Sequence, residues 1–370
     1  MKTNKFISFG SIGKFEDVVK NVQNTVRFDG LDEEGNAIYS EKPMPIIEVE
    51  GTEKIHGTNA AVCFNNVDGF WVQSRKNKIT PVGDNAGCAF SAHAVKDNWM
   101  KIINTLIEEN GIDSDTQTLS VFYEWAGGNI QKNSACSGLD KRAIIFKYAK
   151  VSPIDAESEE VSTWIETVTY GDSMEQSHDT EIWLDDPEVK IFNIMNYPTV
   201  KATIDFNHPK LAVNGLIELV EKIEEESLVG KLMGQEKNIG EGYVFQFMFD
   251  GGLQRFKVKG EAHSKSSKIR KLKPVDETKE KIKIEFVNDV ACQAFRLDQM
   301  FTEIQNSKYN GNIRDMSKKD TGEFIRLVVN DVMKEELQEM AKRGLEPKEC
   351  NGMISKVCVT YFQDRLLDSL

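Results

Sequence analysis

Glu53-Lys54-Ile55-His56-Gly57-Thr58-Asn59 lies between two runs of alternating or apolar residues, Ile46 to Glu50 before it and Ala60 to Phe64 after it. Both flanks read as strands, so the polar heptapeptide reads as the connection between them. Gly57 permits close backbone approach there. Lys54, His56 and Asn59 place a cation, an imidazole and an amide around one point. The segment is either a solvated turn or a built site, and the rest of the chain decides between them.

Outward from this point, Gly69 to Arg75 reads as a strand after a turn at Asp68-Gly69. Residues 92–109 carry a helical stripe of Val95, Trp99, Ile102, Ile103, Leu106 and Ile107. Thr118 to Trp125 and Arg142 to Tyr148 read as strands, residues 213–229 as an acidic amphipathic helix, and residues 1–40 as mixed and loop-like. Residues 241–259, EGYVFQFMF-DGG-LQRFKVK, form a hairpin around Asp-Gly-Gly. Lys257 and Lys259 are two apart and share a face. A three-residue turn brings Glu241 onto that face, and a two-residue turn sends it to the other. A site that needs Glu241 beside the lysines therefore predicts a three-residue or bulged turn. The alternative is an ordinary cross-strand ion pair.

After Pro274 the period changes. Phe286, Val290, Ala294, Leu297, Phe301 and Ile304 make one helical stripe. Asp320 followed by Glu323 predicts a capping box opening a helix through Met340. Ile354, Val357, Cys358, Tyr361 and Phe362 make a further stripe. The expected architecture is α+β: a strand-rich domain over 1–273 and an all-α domain over 274–370.

The 370 residues carry 46 bases and 59 acids, a net charge of −13, and 40% are apolar. That apolar share supports real cores and excludes wholesale disorder. The charge sum argues against a phosphate-binding partner, but its distribution reverses that reading. Residues 151–190 hold twelve acids and one base, so the rest of the chain is near neutral. Residues 253–273 hold eight bases against Glu261. No segment reaches the roughly 18 to 20 apolar residues of a membrane span. The N-terminus has no signal-like apolar run. Cys63, Cys88, Cys136, Cys292, Cys350 and Cys358 are scattered without a CxxC, which predicts reduced thiols in an intracellular, cytoplasmic protein.

Lys54–Asn59 resembles the nucleophile motif of the covalent nucleotidyltransferases, the superfamily of ATP-dependent ligases and capping enzymes. With His56 in place of the Asp usual in DNA ligases and capping enzymes, it is similar to the bacteriophage RNA ligase 2 family. Further motifs follow in that family's order. Val121-Phe122-Tyr123-Glu124-Trp125-Ala126-Gly127 resembles the third motif, and Ile144-Ile145-Phe146 the strand whose aromatic stacks on adenine. Glu241-Gly242-Tyr243-Val244 resembles the fourth and Phe256-Lys257-Val258-Lys259 the fifth. Arg75 falls at an essential arginine, and Gly128–Asn133 resembles another family segment. The resemblance spans roughly residues 45–270.

It implies an N-terminal nucleotidyltransferase domain of ATP-grasp-like antiparallel sheets with helices, followed by a helical RNA-engaging domain. It implies an ATP-dependent RNA ligase that joins 3′-OH and 5′-phosphate ends at nicks in duplex RNA, through lysyl-AMP and RNA-adenylate. Lys54, His56, Glu124, Glu241, Lys257 and Lys259 would then be catalytic. Glu53, Lys54, Ile55, Asn59, Arg75, Glu124, Phe146, Glu241, Lys257 and Lys259 would hold ATP. Glu124 and Glu241 would be the Mg²⁺ or Mn²⁺ donors. The lysine must be neutral to attack phosphorus, and neighbouring cations favour that form. The basic stretch 253–273 would contact phosphates. A monomer in the cytoplasm, of the host cell if phage-encoded, is expected.

Two positions depart from the family pattern. Gln246 stands where Lys or Arg is usual, with Arg255 as the candidate replacement. Lys147 follows Phe146 where an acid is usual. The acidic segment 151–190 has no family counterpart and would either repel nucleic acid from one face or bind a partner. The competing readings are a DNA ligase or capping-type enzyme, which would carry a β-barrel after the fifth motif, and a non-catalytic nucleic-acid end-binding protein.

Overall fold

The structure is a computed structural model and describes residues 6–32, 35–40, 42–131, 134–155, 162–167, 188–235, 238–260 and 273–367. In chain order its elements are α1 (Phe15–Arg27), β1 (Phe28–Leu31), β2 (Ala37–Tyr39), β3 (Ile46–Glu53), β4 (Thr58–Asn65), β5 (Gly69–Ser74), β6 (Lys78–Ile79), α2 (Cys88–Ala94) and α3 (Lys96–Asn110). They continue with β7 (Gln117–Ala126), β8 (Arg142–Ile145), β9 (Tyr148–Pro153), β10 (Thr163–Glu166), β11 (Ile191–Asn193), β12 (Val200–Asp205), α4 (Val213–Glu225) and α5 (Leu228–Leu232). Then come β13 (Gly242–Phe249), β14 (Gly252–Lys259), α6 (Glu277–Phe286), α7 (Ala294–Tyr309), α8 (Thr321–Glu335), α9 (Leu337–Lys342) and α10 (Pro347–Leu367). The class is α+β.

The chain divides into two compact units. One is residues 1–19, 48–203 and 215–272, and the other is 20–47, 204–214 and 273–370. In the first unit the large sheet runs β10-β9-β7-β4-β5-β6, with β8 pairing both β7 and β11. β8–β11 is parallel, while the ladders of β4, β5, β7 and β9 are antiparallel. β4 and β7 are buried along most of their length, as central strands covered on both faces must be. α3 covers one face with Trp99, Ile102, Ile103 and Leu106, and Trp99 lies 5.1 Å from the Tyr123 ring. A smaller sheet runs β12-β3-β13-β14. The chain leaves that sheet at Glu53 and enters the large one at Thr58, so Lys54–Gly57 is the crossing between the two.

In the second unit the helices close on one apolar cluster that includes Phe286, Phe301, Phe324 and Phe362. Phe301 and Phe362 meet at 5.2 Å, and Phe324 stacks on Tyr361 at 5.9 Å. Asn214 bonds Val275 in both directions, its Nδ2 to the carbonyl at 2.6 Å and its Oδ1 from the N–H at 2.8 Å.

Several expectations are revised. The 92–109 stripe is two helices broken at Val95. Arg142 to Tyr148 is two strands interrupted at Phe146-Lys147. The 213–229 stripe ends at Glu225, because Ser227 caps a new helix by accepting the Gly230 N–H. The N-terminal region contains α1, whose Phe15, Val18 and Val22 are buried at helical spacing. The Phe286–Ile304 stripe is also broken: a π-turn follows α6, and α7 restarts at Ala294, which is exposed. Asp320 does not cap α8. It accepts the Ser317 N–H and the Tyr309 hydroxyl instead. The helix after it stops at Glu335 and resumes at Leu337.

Of the acidic segment, Thr163–Glu166 forms β10 against β9, while residues 156–161 and 168–187 lie outside the described residues. So do 261–272 of the basic stretch, and Lys132 and Asn133. All six cysteines are free and buried, and burial pushes the thiols of Cys63, Cys88 and Cys136 up to about 12. Among the described residues no helix is long and apolar enough to cross a membrane.

Candidate active site

The crossing segment borders a cavity of about 600 Å³, a size that suits a nucleotide. At its centre is Glu241, 2% exposed. Oε2 meets Lys54 Nζ at 2.7 Å and His56 Nδ1 at 3.1 Å, and Oε1 meets Lys259 Nζ. Burial works to raise the Glu241 carboxyl. The hydrogen bond with His56, the charge of Lys54 and the hydrogen bonds from Lys259 and Lys54 outweigh it and hold the group well below the ordinary carboxylate range.

The hairpin reaches this arrangement by a route that the strand pattern did not predict. Its turn has two residues, Asp250 and Gly251, both at positive φ, and Phe249 pairs with Gly252. Regular alternation would then turn Glu241 away from Lys257 and Lys259. Gly242 breaks the alternation: its φ is +149, and a Cβ there would lie 2.0 Å from the Val258 carbonyl oxygen. Only glycine allows the kink that returns Glu241 to the lysine side.

Glu124, on β7, pairs in register with Asn59 and Ile144. Its Oε1 accepts the Gly57 N–H at 2.9 Å. A Cβ on Gly57 would meet the Trp125 carbonyl at 2.4 Å, so the crossing can pass over β7 only as glycine. Burial pushes the Glu124 carboxyl up to about 7 despite the opposing charge of Lys54. Lys257 donates to the Ile12 carbonyl at 2.9 Å. Its ammonium is lowered by burial and then by the cations Lys259, Lys54 and Arg75.

The cavity brings together Lys54, His56, Asn59, Arg75, Glu124, Phe146, Glu241, Lys257 and Lys259. Arg75 is exposed, and Phe146 is half-buried at the wall. Ile55 borders the cavity but is 4% exposed and packs with Ala126, Ile144 and Ile194. Glu53 also borders it, yet its carboxylate takes the Ser227 hydroxyl and the Val229 N–H at 3.2 Å, so that group anchors α5. Burial raises its pKa.

The two departures find places. Lys147 turns to Glu50 in a half-buried ion pair, with Glu166 3.7 Å away. Gln246 lines the cavity, and Arg255 does not. Arg255 shares the Lys257 face of β14 but is held behind the N-terminal strap. Its Nη2 donates to the Phe9 carbonyl at 2.8 Å, and burial pulls its pKa down to about 10.

That strap, Ser8 to Ile12, lines the cavity and was not anticipated. Gln73 holds the Ile7 backbone from both sides, and Lys150 donates to the Ser8 carbonyl at 3.3 Å. Thr52, Thr58, Lys76, Ile194 and Val244 are further lining residues outside the expected set.

As to metal, all three cationic or imidazole contacts of Glu241 fall on its two oxygens, which leaves it a poor free donor in this arrangement. Glu124 has one oxygen engaged by Gly57 and fits a hard cation better. Among the described residues no group of three or more His, Cys, Asp or Glu could hold a metal alone.

Solved structures of the Naegleria gruberi RNA ligase resemble the chain weakly. The form with pyrophosphate gives a TM-score of 0.38 at 18% identity, over 72% of this chain and 59% of that one. A variant with AMP and manganese gives 0.40 at 18% over 72% and 60%, and one with ATP and manganese 0.38 at 17% over 70% and 58%. The chain thus spans about 59% of the length of those ligases. No curated protein matches. A family model described as RNA ligase matches residues 47–259, more than half of the 370 residues, from Ile47 in β3 through Lys259, and the chain belongs to the RNA ligase family.

Proposed function

We propose that the chain is an ATP-dependent RNA ligase that seals 3′-OH and 5′-phosphate ends at nicks in duplex RNA, with Lys54 as the nucleophile. The observation that carries the reading is the Lys54 amine, 2.7 Å from a carboxylate shared with Lys259 and His56, inside a nucleotide-sized cavity. In the first step the Lys54 ammonium loses a proton to solvent, and the free amine attacks the α-phosphorus of ATP. An N–P bond forms, the bond to the β-phosphate oxygen breaks, and pyrophosphate leaves. Lys257, whose ammonium is otherwise bonded to a carbonyl, and Lys259 are the cations available for the leaving charge. Phe146 offers a flat face to adenine, and Arg75 a fork for phosphate. Magnesium or manganese, when bound, would be held by Glu124 and the nucleotide phosphates and would supply neutralising charge. AMP then passes to the RNA 5′-phosphate, and a 3′-hydroxyl displaces it to close the strand. The helices of residues 273–367 support the RNA ligase 2 type over ligases whose fifth motif leads into a β-barrel.

Incubation with α-labelled ATP and Mg²⁺ is expected to label the protein covalently, and Lys54→Ala to abolish the label. An unlabelled wild type would end the ligase reading. Among nicked substrates, duplex RNA is expected to be sealed faster than all-DNA. The reverse order would overturn the substrate assignment.

A further inference from the structure

Arg255 is enclosed, and no counter-ion faces it among the described residues. Among the described residues no carboxylate meets it, and its Nη1 has no hydrogen-bond partner. A cation so placed is unfavourable unless something replaces water and counter-charge. Two aromatic rings do so. The guanidinium carbon lies 4.2 Å from the Phe9 ring centroid and 4.6 Å from that of Trp164. Phe9 in turn lies 5.1 Å from Phe146, with the rings tilted by 37°, and 4.9 Å from Phe122. Trp164, Arg255, Phe9 and Phe146 therefore form one continuous column. Its four members come from β10, β14, the N-terminal strap and the β8–β9 link, and its last two rings, Phe9 and Phe146, border the cavity.

A lone ring beside an empty cavity is free to turn about its side-chain torsions, and ordering it on binding costs affinity. A ring packed in a fixed column has already lost that freedom. The strap that carries Phe9 is itself fixed, at Ile7 by Gln73 and at Ser8, Phe9 and Ile12 by Lys150, Arg255 and Lys257.

We propose that Trp164, Arg255 and Phe9 are positioning residues that preset the Phe146 ring for stacking by the purine of the nucleotide. The inference rests on the ligase reading and on Phe146 as its base-stacking residue. It gives Trp164, on β10 within the acidic segment, a part in ATP binding. The column acts on the base and not at the phosphorus, so it governs KM for ATP and leaves the maximal rate alone.

The test is the rate of lysyl-AMP formation by the full chain as a function of ATP concentration. Arg255→Met and Trp164→Ala are expected to raise KM for ATP about tenfold, with the saturating rate within about twofold of wild type. Trp164→Phe, which keeps a ring face, is expected to restore most of the affinity. Thermal melting confirms folding, and if Arg255→Met fails to fold, the half-buried Trp164 decides. An unchanged KM in folded Trp164→Ala, or a lower saturating rate with KM unchanged, overturns the column. A wild type that forms no adduct removes the ligase reading itself, which is a different result.

Discussion

Glu124 and Glu241 are two carboxylates in one cavity, driven in opposite directions by their surroundings. Glu241 has three nitrogen contacts and stays ionised, while Glu124 has one backbone N–H and is pushed up to about 7. The sign of the consequence follows from the direction. The ordinary value of 4.5 applies to Glu124 in the unfolded chain, so between about 4.5 and 7 the folded state holds a proton that the unfolded state has lost. Stability from this group is therefore greatest at the acid end of that window and falls as pH rises through it. Melting temperature without nucleotide or metal is expected to show this decline in the wild type and to lose it in Glu124→Gln. A decline of equal slope in the variant would show that other groups cause it. Lys54, Glu124, Glu241, Lys257 and Lys259 were legible because each is a chemically distinctive side chain at a distinctive spacing. The strap was not, because its contacts to Lys150, Arg255 and Lys257 are made by backbone carbonyls, and every residue type has one.

In the β13–β14 hairpin the expected grouping of Glu241 with Lys259 is reached through a different turn from the one expected. Asp250-Gly251-Gly252 accommodates either turn length, so composition could not choose between them. The choice made from function assumed ideal alternation up to Glu241. The two-residue turn matches the right-handed twist of its strands, and the correction to the register is made at the other end, at Gly242. Gly242→Ala is expected to cost about 3 kcal/mol in denaturant unfolding and to abolish adenylylation, since the added Cβ collides with the Val258 carbonyl at a φ that alanine avoids. A variant as stable and as active as the wild type would refute the kink. The helical stripes misled in a similar way. Periodicity continues across a break when the restarted helix faces the same core, so it could not reveal the interruptions at Val95 and Gln293.

For the whole molecule, the sequence division near residue 273 and the spatial division are different things. The cavity is lined by residues from Ser8 to Lys259, but residues 20–47 and 204–214 cluster with the helices after 273. A chain ending at Lys273 would lose Val275 and Glu277, both partners of Asn214, together with the core of that unit. It is expected to melt about 5 °C or more below the full chain while still forming the AMP adduct. A truncated chain that melts with the full one would show that those segments need no helical partner. The net charge of −13 was a poor guide at this scale, because it sums over a run of bases and a run of acids that lie apart in the sequence. The cysteines have a practical consequence. All six thiols are buried, so none is open to a surface-directed reagent in the folded chain. Val82 is fully exposed in the loop between β6 and α2, and a cysteine introduced there would be the single exposed thiol available to carry a fluorophore.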